Sequence, residues 1–204
     1  MKNPQNIQEL ARLTPDYMGF IFYPESPRYA GELDSGIVRA LPKSIKRIGV
    51  FVNESVKEIR KKYDEYGFDY IQLHGNESPE VCREIAEFCP VIKAVSVYSS
   101  DDIRNAEKQY SGVAEYLLFD TKTPQYGGSG QKFDWQVLAD YNGETKYFLS
   151  GGIAPEDTER IKNELSVDMV HSLDINSRFE SEPGIKDIEK LRIFIKEIRN
   201  EQDK

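Results

Sequence analysis

The chain has 204 residues, with 27 Lys and Arg against 35 Asp and Glu, giving a formal net charge of −8, which excludes the basic face of a nucleic-acid binder. Hydrophobic residues at 39%, charged residues at 30% and a mean hydropathy of −0.60 exclude a disordered chain and fit a soluble globular one. No apolar run approaches the ~20 residues of a membrane span.

In chain order, the opening MKNPQNIQEL has no basic stretch ahead of an apolar core, so neither a signal nor a transit peptide is read and a cytoplasmic address is expected. Apolar, β-branched or aromatic runs of the buried parallel type recur at residues 17–22, 48–52, 70–73, 91–97, 116–119, 147–149 and 169–173. Between them, helical spacing covers residues 6–13, opening from Asn3, then 56–66, 79–88, 100–110, 133–141, 155–165 and 187–199. Ser55, and the pairs Ser78-Pro79 and Ala154-Pro155, stand where helices start. No linker or repeat interrupts the alternation, so one domain spanning residues 1–204 is expected.

Strand–helix alternation predicts an all-parallel α/β sheet, either open and doubly wound or closed as a (β/α)8 barrel. The barrel takes eight strands, whereas seven are read here and the chain opens on a helix. The expectation is therefore a TIM-type barrel with its first β-strand missing.

In such barrels the chemistry lies where strands end. Gly151-Gly152 comes directly after the run at 147–149, just ahead of a helix, and offers unhindered N–H groups to a phosphate. The Asp174-x-Asn176-Ser177 turn adds donors from the other side. A plain turn is the competing reading of the glycine pair. Asp120 ends an apolar run, where a carboxyl can serve as general acid; a helix cap or a partner for Lys122 is the alternative. The glycine-rich stretch around Gly127-Gly128-Ser129-Gly130 has the length of a closing loop. Arg28, between prolines at 24 and 27, can grip a carboxylate or make a surface salt bridge. His74 either contacts substrate or bonds a neighbouring loop. His171, Phe133 and Trp135 read as packing residues. Cys82 and Cys89 read as structural thiols on outward-facing helical positions, with no disulfide or metal site suggested.

Several runs together resemble one family. Gly19-Phe20-Ile21-Phe22-Tyr23-Pro24, Ser26-Pro27-Arg28-Tyr29, Ile71-Gln72-Leu73-His74-Gly75-Asn76-Glu77, Phe119-Asp120, Phe133-Asp134-Trp135, Ser150-Gly151-Gly152-Ile153, Asp174-x-Asn176-Ser177-x-x-Glu180 and Pro183-Gly184-x-Lys186-Asp187 are similar to phosphoribosylanthranilate isomerases. The resemblance covers residues 3–199. It implies an Amadori rearrangement of a phosphosugar in tryptophan biosynthesis, with no metal or organic cofactor, in a monomer or homodimer. It also implies Asp120 as general acid, Arg28 near the anthranilate carboxylate, and Gly151, Gly152, Asp174 and Ser177 around the phosphate.

The departure lies at the start. Family members open with a strand ending in Lys-x-Cys-Gly, whose cysteine is the general base, and Met1-Lys2-Asn3-Pro4 resembles the residues on the C-terminal side of that motif. A start upstream, adding roughly six to ten residues, is one explanation; a true loss, leaving a non-catalytic phosphosugar-binding or regulatory relic, is the other. Little activity is expected of the 204 residues in either case. Rival phosphosugar barrels need a His/Asp metal set or a Lys/Glu pair at strand ends, and neither is read clearly.

Overall fold

Each run of β-branched and aromatic residues becomes a strand because its alternate side chains find an apolar partner on both faces. The strands are β1 (Tyr17–Ile21), β2 (Lys46–Phe51), β3 (Tyr70–Leu73), β4 (Val91–Val97), β5 (Tyr116–Thr121), β6 (Tyr147–Leu149) and β7 (Val170–Leu173). All pair in parallel, each with its sequence neighbour. This computed structural model describes residues 1–121, 135–138, 141–164 and 168–200. Lys122, the stretch Gly127-Gly128-Ser129-Gly130, Phe133 and Asp134 lie outside the described residues.

The helices are α1 (Pro4–Ala11), α2 (Ser35–Arg39), α3 (Val56–Tyr66), α4 (Pro79–Ala86), α5 (Ser100–Tyr110), α6 (Thr158–Glu164) and α7 (Ile188–Ile198). Short polar side chains start several of them: Asn3 accepts from Asn6 N at 2.9 Å, Ser55 from Glu58 N at 3.3 Å and Asp187 from Lys190 N at 3.1 Å, each satisfying an otherwise unpaired first-turn N–H.

Three expectations need correction. The helix read over 133–141 is, among the described residues, one 3-10 turn at Trp135–Leu138. The helix read over 155–165 divides into a 3-10 turn, Pro155–Asp157, and α6. Helix α2 and the hairpin β8 (Glu180–Glu182) and β9 (Ile185–Lys186) were not read: a single helical turn is too short to show a 3.6-residue period, and the hairpin strands carry no apolar run.

The sheet curls until its outer strands face each other, and its concave face carries one apolar cluster, including Ile48, Val50, Ile92, Ala94, Leu118 and Phe148. At the strand starts, β1, β3, β5 and β7 contribute one ring each. Tyr17–Tyr70, Tyr70–Tyr116, Tyr116–His171 and His171–Tyr17 centroids lie 6.0, 6.0, 4.0 and 5.8 Å apart, closing a four-membered layer. Tyr17 Oη and His171 Nε2 meet at 2.6 Å across the two outer strands. His171 is thus the packing residue expected, and burial, assisted by the Lys146 charge, lowers its pKa.

The convex face packs on the helices through Met18, Phe20, Phe51, Ile71, Leu117, Phe119 and Leu149. Each such side chain fully buried contributes about 1.5–3 kcal/mol. Cys82 and Cys89 belong to this outer core, at 0% and 2% exposure, so the outward-facing placement is corrected. Burial pushes their thiols up to about 11 and about 12.

Candidate active site

Parallel pairing brings every strand's C-terminal end to one rim. There a cavity of about 240 Å³ is lined by Arg28, His74, Asp120, Gly151, Gly152, Asp174 and Ser177 among others. The seven residues expected at the site therefore share one cavity. Another hollow, of about 380 Å³, lies outside the sheet between α5, Val137 and residues 141–144 and includes none of the seven.

Asp120 lies within β5, paired with Ser96 of β4, one step past the apolar run that places it at the rim. Its Oδ2 is 3.4 Å from His74 Nε2. The Gln72 amide meets His74 Nδ1 at 2.8 Å; with that nitrogen accepting, the neutral ring carries its proton on Nε2, facing Asp120. The His74 side chain therefore meets Gln72 of its own strand, β3, and faces Asp120.

Gly151 and Gly152 have φ of +95° and +70°, a left-handed conformation that disfavours side chains. This turn leads from β6 to the Pro155–Asp157 turn, where the Asp157 carboxylate already caps Ala154 N at 2.9 Å. The N–H groups for an anion are therefore those of the glycine turn rather than of the helix start. Across the cavity, Asn176 leads into the 3-10 turn Ser177–Phe179.

Asp174 lines the same cavity. Its N–H bonds to Leu149 O at 2.7 Å, and its carboxyl accepts from Ser150 Oγ at 3.1 Å, so its backbone donor is already used. Burial, reinforced by the Asp120 charge, raises its pKa.

Arg28 is held rather than loose: Nε meets Glu180 Oε2 at 2.9 Å and Nη2 meets it at 2.7 Å. Lys186 Nζ adds 3.4 Å to Glu180 Oε1 and 2.8 Å to Asn176 Oδ1. Burial alone would raise the Glu180 carboxyl; bonds from Arg28 and the Lys186 charge bring it below its usual range. Burial lowers the Lys186 ammonium against the opposing pull of Glu180 and Asp174. Two Lys/Glu pairs thus exist near the strand ends, Lys186–Glu180 and Lys93–Glu77, correcting the expectation of none; Lys93–Glu77 does not line the cavity. Gln72, Glu180 and Lys186 received no role from the sequence, although they stand in the runs that carry the resemblance.

Among the described residues, no group of three or more His, Cys, Asp or Glu is arranged to hold a metal, and no helix is long and apolar enough to cross a membrane.

A curled parallel sheet whose C-terminal rim gathers Asp120, His74 and a glycine turn in one cavity belongs to the TIM-like α/β class. Similarity to known proteins narrows the class. The family profile described as N-(5'-phosphoribosyl)anthranilate (PRA) isomerase matches residues 1–197. The N-(5'-phosphoribosyl)anthranilate isomerase of Parabacteroides distasonis is 43% identical over 201 residues, covering 97% of this chain and 90% of that protein. The crystal structure of the Thermotoga maritima phosphoribosyl anthranilate isomerase superposes with a TM-score of 0.86 at 37% identity, covering 98% of this chain and 96% of that one. A further isomerase structure, in complex with reduced 1-(o-carboxyphenylamino)-1-deoxyribulose 5-phosphate, has a TM-score of 0.84 at 32% identity, covering 98% and 95%. This chain belongs to the phosphoribosylanthranilate isomerase family.

Proposed function

We propose that the chain is a cytoplasmic, single-domain N-(5'-phosphoribosyl)anthranilate isomerase of tryptophan biosynthesis. The observation that carries the reading is the meeting of Asp120 and His74 in the same cavity as the glycine turn and Arg28. Asp120 donates a proton to the furanose ring oxygen as the C1–O bond breaks, and the anilino nitrogen supplies the electrons of the new C=N bond. A base then takes the C2 proton, and the resulting enol tautomerises to the ketone. Gly151, Gly152 and Ser177 receive the phosphate through N–H and hydroxyl groups, while Arg28 faces the carboxylate and Glu180 holds its fork in place.

Neither cysteine is that base, because both are packed on the convex side of the sheet. We assign it to one further strand between β1 and β7. Layer composition supports that strand: β2, β4 and β6 contribute Ile48, Ile92 and Phe148 to the inner cluster, three members where a closed barrel's layer takes four.

The test monitors anthranilate fluorescence during turnover of phosphoribosylanthranilate generated in situ. Of a form that carries that strand and one that lacks it, only the first is expected to turn over, since a general base is worth ~10²–10⁴-fold. If neither form turns over, the catalytic reading fails and a phosphosugar-binding relic takes its place. Relatives include a dimeric isomerase from Thermotoga maritima; a monomer or homodimer is proposed here.

A further inference from the structure

Beneath the rim lies an ion pair that touches no part of the cavity. Lys93 stands in β4 on its helix-facing side and Glu77 in the loop after β3; their side chains are 3% and 2% exposed, and Nζ lies 3.0 Å from Oε2. The ammonium also meets Leu73 O at 3.2 Å, Gly75 O at 2.9 Å and Ala94 O at 2.9 Å. The carboxylate accepts from Asn53 N at 2.8 Å and Gly75 N at 3.0 Å. Tyr110 of α5 completes the cluster, donating to Glu77 O at 2.9 Å.

The residue enclosed by these bonds is His74. Leu73 O before it and both backbone polar atoms of Gly75 after it are fixed by the two buried charges. Gly75 is pressed against Asn53 so closely that a Cβ there would lie 2.4 Å from Asn53 Oδ1 and 2.8 Å from its backbone N. We propose that Glu77 and Lys93 are positioning residues: together they fix the backbone on both sides of His74 and so set the approach of its Nε2 to Asp120. This rests on the reading of Asp120 as the acid. Stability alone is a poor reason for such a pair, since buried ion pairs are commonly replaceable by apolar side chains of the same volume without loss.

A second pair supplies the control. Arg47 of β2 and Asp69, the residue before β3, meet at the opposite end of the sheet, at 2.8 Å and about one-quarter exposed. The experiment compares Glu77→Gln with Asp69→Asn by two readouts. The first is the response of the His74 ring ¹⁵N resonances to Asp120→Asn, which needs no turnover: a clear response is expected in the parent and in Asp69→Asn, and its loss in Glu77→Gln. The second, in the form of the protein that turns over, is a kcat lower by on the order of 10–100-fold for Glu77→Gln, with KM changed less than about threefold. Should Glu77→Gln fail to fold, Glu77→Asp, which keeps the charge and withdraws it by one methylene, is expected to weaken the same response. The proposal is overturned if the folded Glu77 variant keeps the parent response and kcat, or if Asp69→Asn loses both equally. Failure of all forms to turn over while the resonance coupling behaves as described would instead remove the isomerase reading and leave the positioning intact.

Discussion

The two ends of the curled sheet are built from the same seven strands and solve different problems. At the strand starts, four rings from alternate strands close on one another, with Phe148 packed 5.1, 5.5 and 5.3 Å from Tyr17, Tyr116 and His171. Their polar tips are satisfied within the layer, as in the Tyr17–His171 bond. At the strand ends, the side chains are charged and close to like charges: Asp174 is buried beside Asp120, and Lys186 near Arg28. One end lowers the free energy of the folded chain; the other holds like charges in proximity at a cost in stability.

This contrast is sharpest for Asp120. Asp120→Asn is expected to lower kcat by ~10²–10⁴-fold in the form that turns over, with the midpoint of urea unfolding changed little, because no core contact is removed. At the opposite end, Tyr116→Ala opens the ring layer and is expected to cost about 3 kcal/mol of stability, read as the same urea midpoint.

Acid titration of stability divides the rim itself. The Glu180 carboxyl is lowered on folding, so its contribution is present above the unfolded value near ~4.3 and is lost as pH falls through the folded one. Glu180→Gln therefore destabilises at pH ~7, and the difference shrinks on acidification. The Asp174 carboxyl is raised, so its contribution is present below ~3.9 and is lost as pH rises. Asp174→Asn is expected to stabilise at pH ~7 by a margin that narrows toward pH ~4; equal slopes for the two variants would contradict the charge arrangement described. The smallest effect is that of Tyr17→Phe, which removes the bond to His171 and is expected to cost about 1 kcal/mol without altering turnover.

Much of this contrast is visible in the sequence. Near-continuous apolar runs and capped helices give the order of elements, and the residues at the ends of those runs and in the loops beyond them include the seven expected at the site, all of which line the cavity. The runs do not show which polar residues serve one another. Lys93 is a single charge inside an otherwise apolar strand, VIKAVSV, and its partner lies in a different loop, 16 positions earlier. Glu180 and Lys186 sit on a hairpin too short for any period, and their link to Arg28 spans 152 residues. Cys82 reads as an outward-facing structural thiol on a helix outside the barrel; that helix is α4, and its buried residues, Cys82 and Ile85, turn the thiol toward the sheet. Asp174 reads as a phosphate residue by its company; only coordinates reveal that its N–H is already used.

The buried side chain of Asn6 in α1 copies a strand edge: its Oδ1 accepts from Lys186 N at 2.7 Å and its Nδ2 donates to Lys186 O at 2.9 Å. Two segments separated by 180 positions are thereby joined next to the cavity. During synthesis the early strands can pair long before Lys186 leaves the ribosome, and contacts of such long sequence separation form late. The Asn6–Lys186 clasp is consequently among the last contacts the nascent chain makes, and a ribosome-stalled fragment ending before Lys186 would hold the seven strands without it.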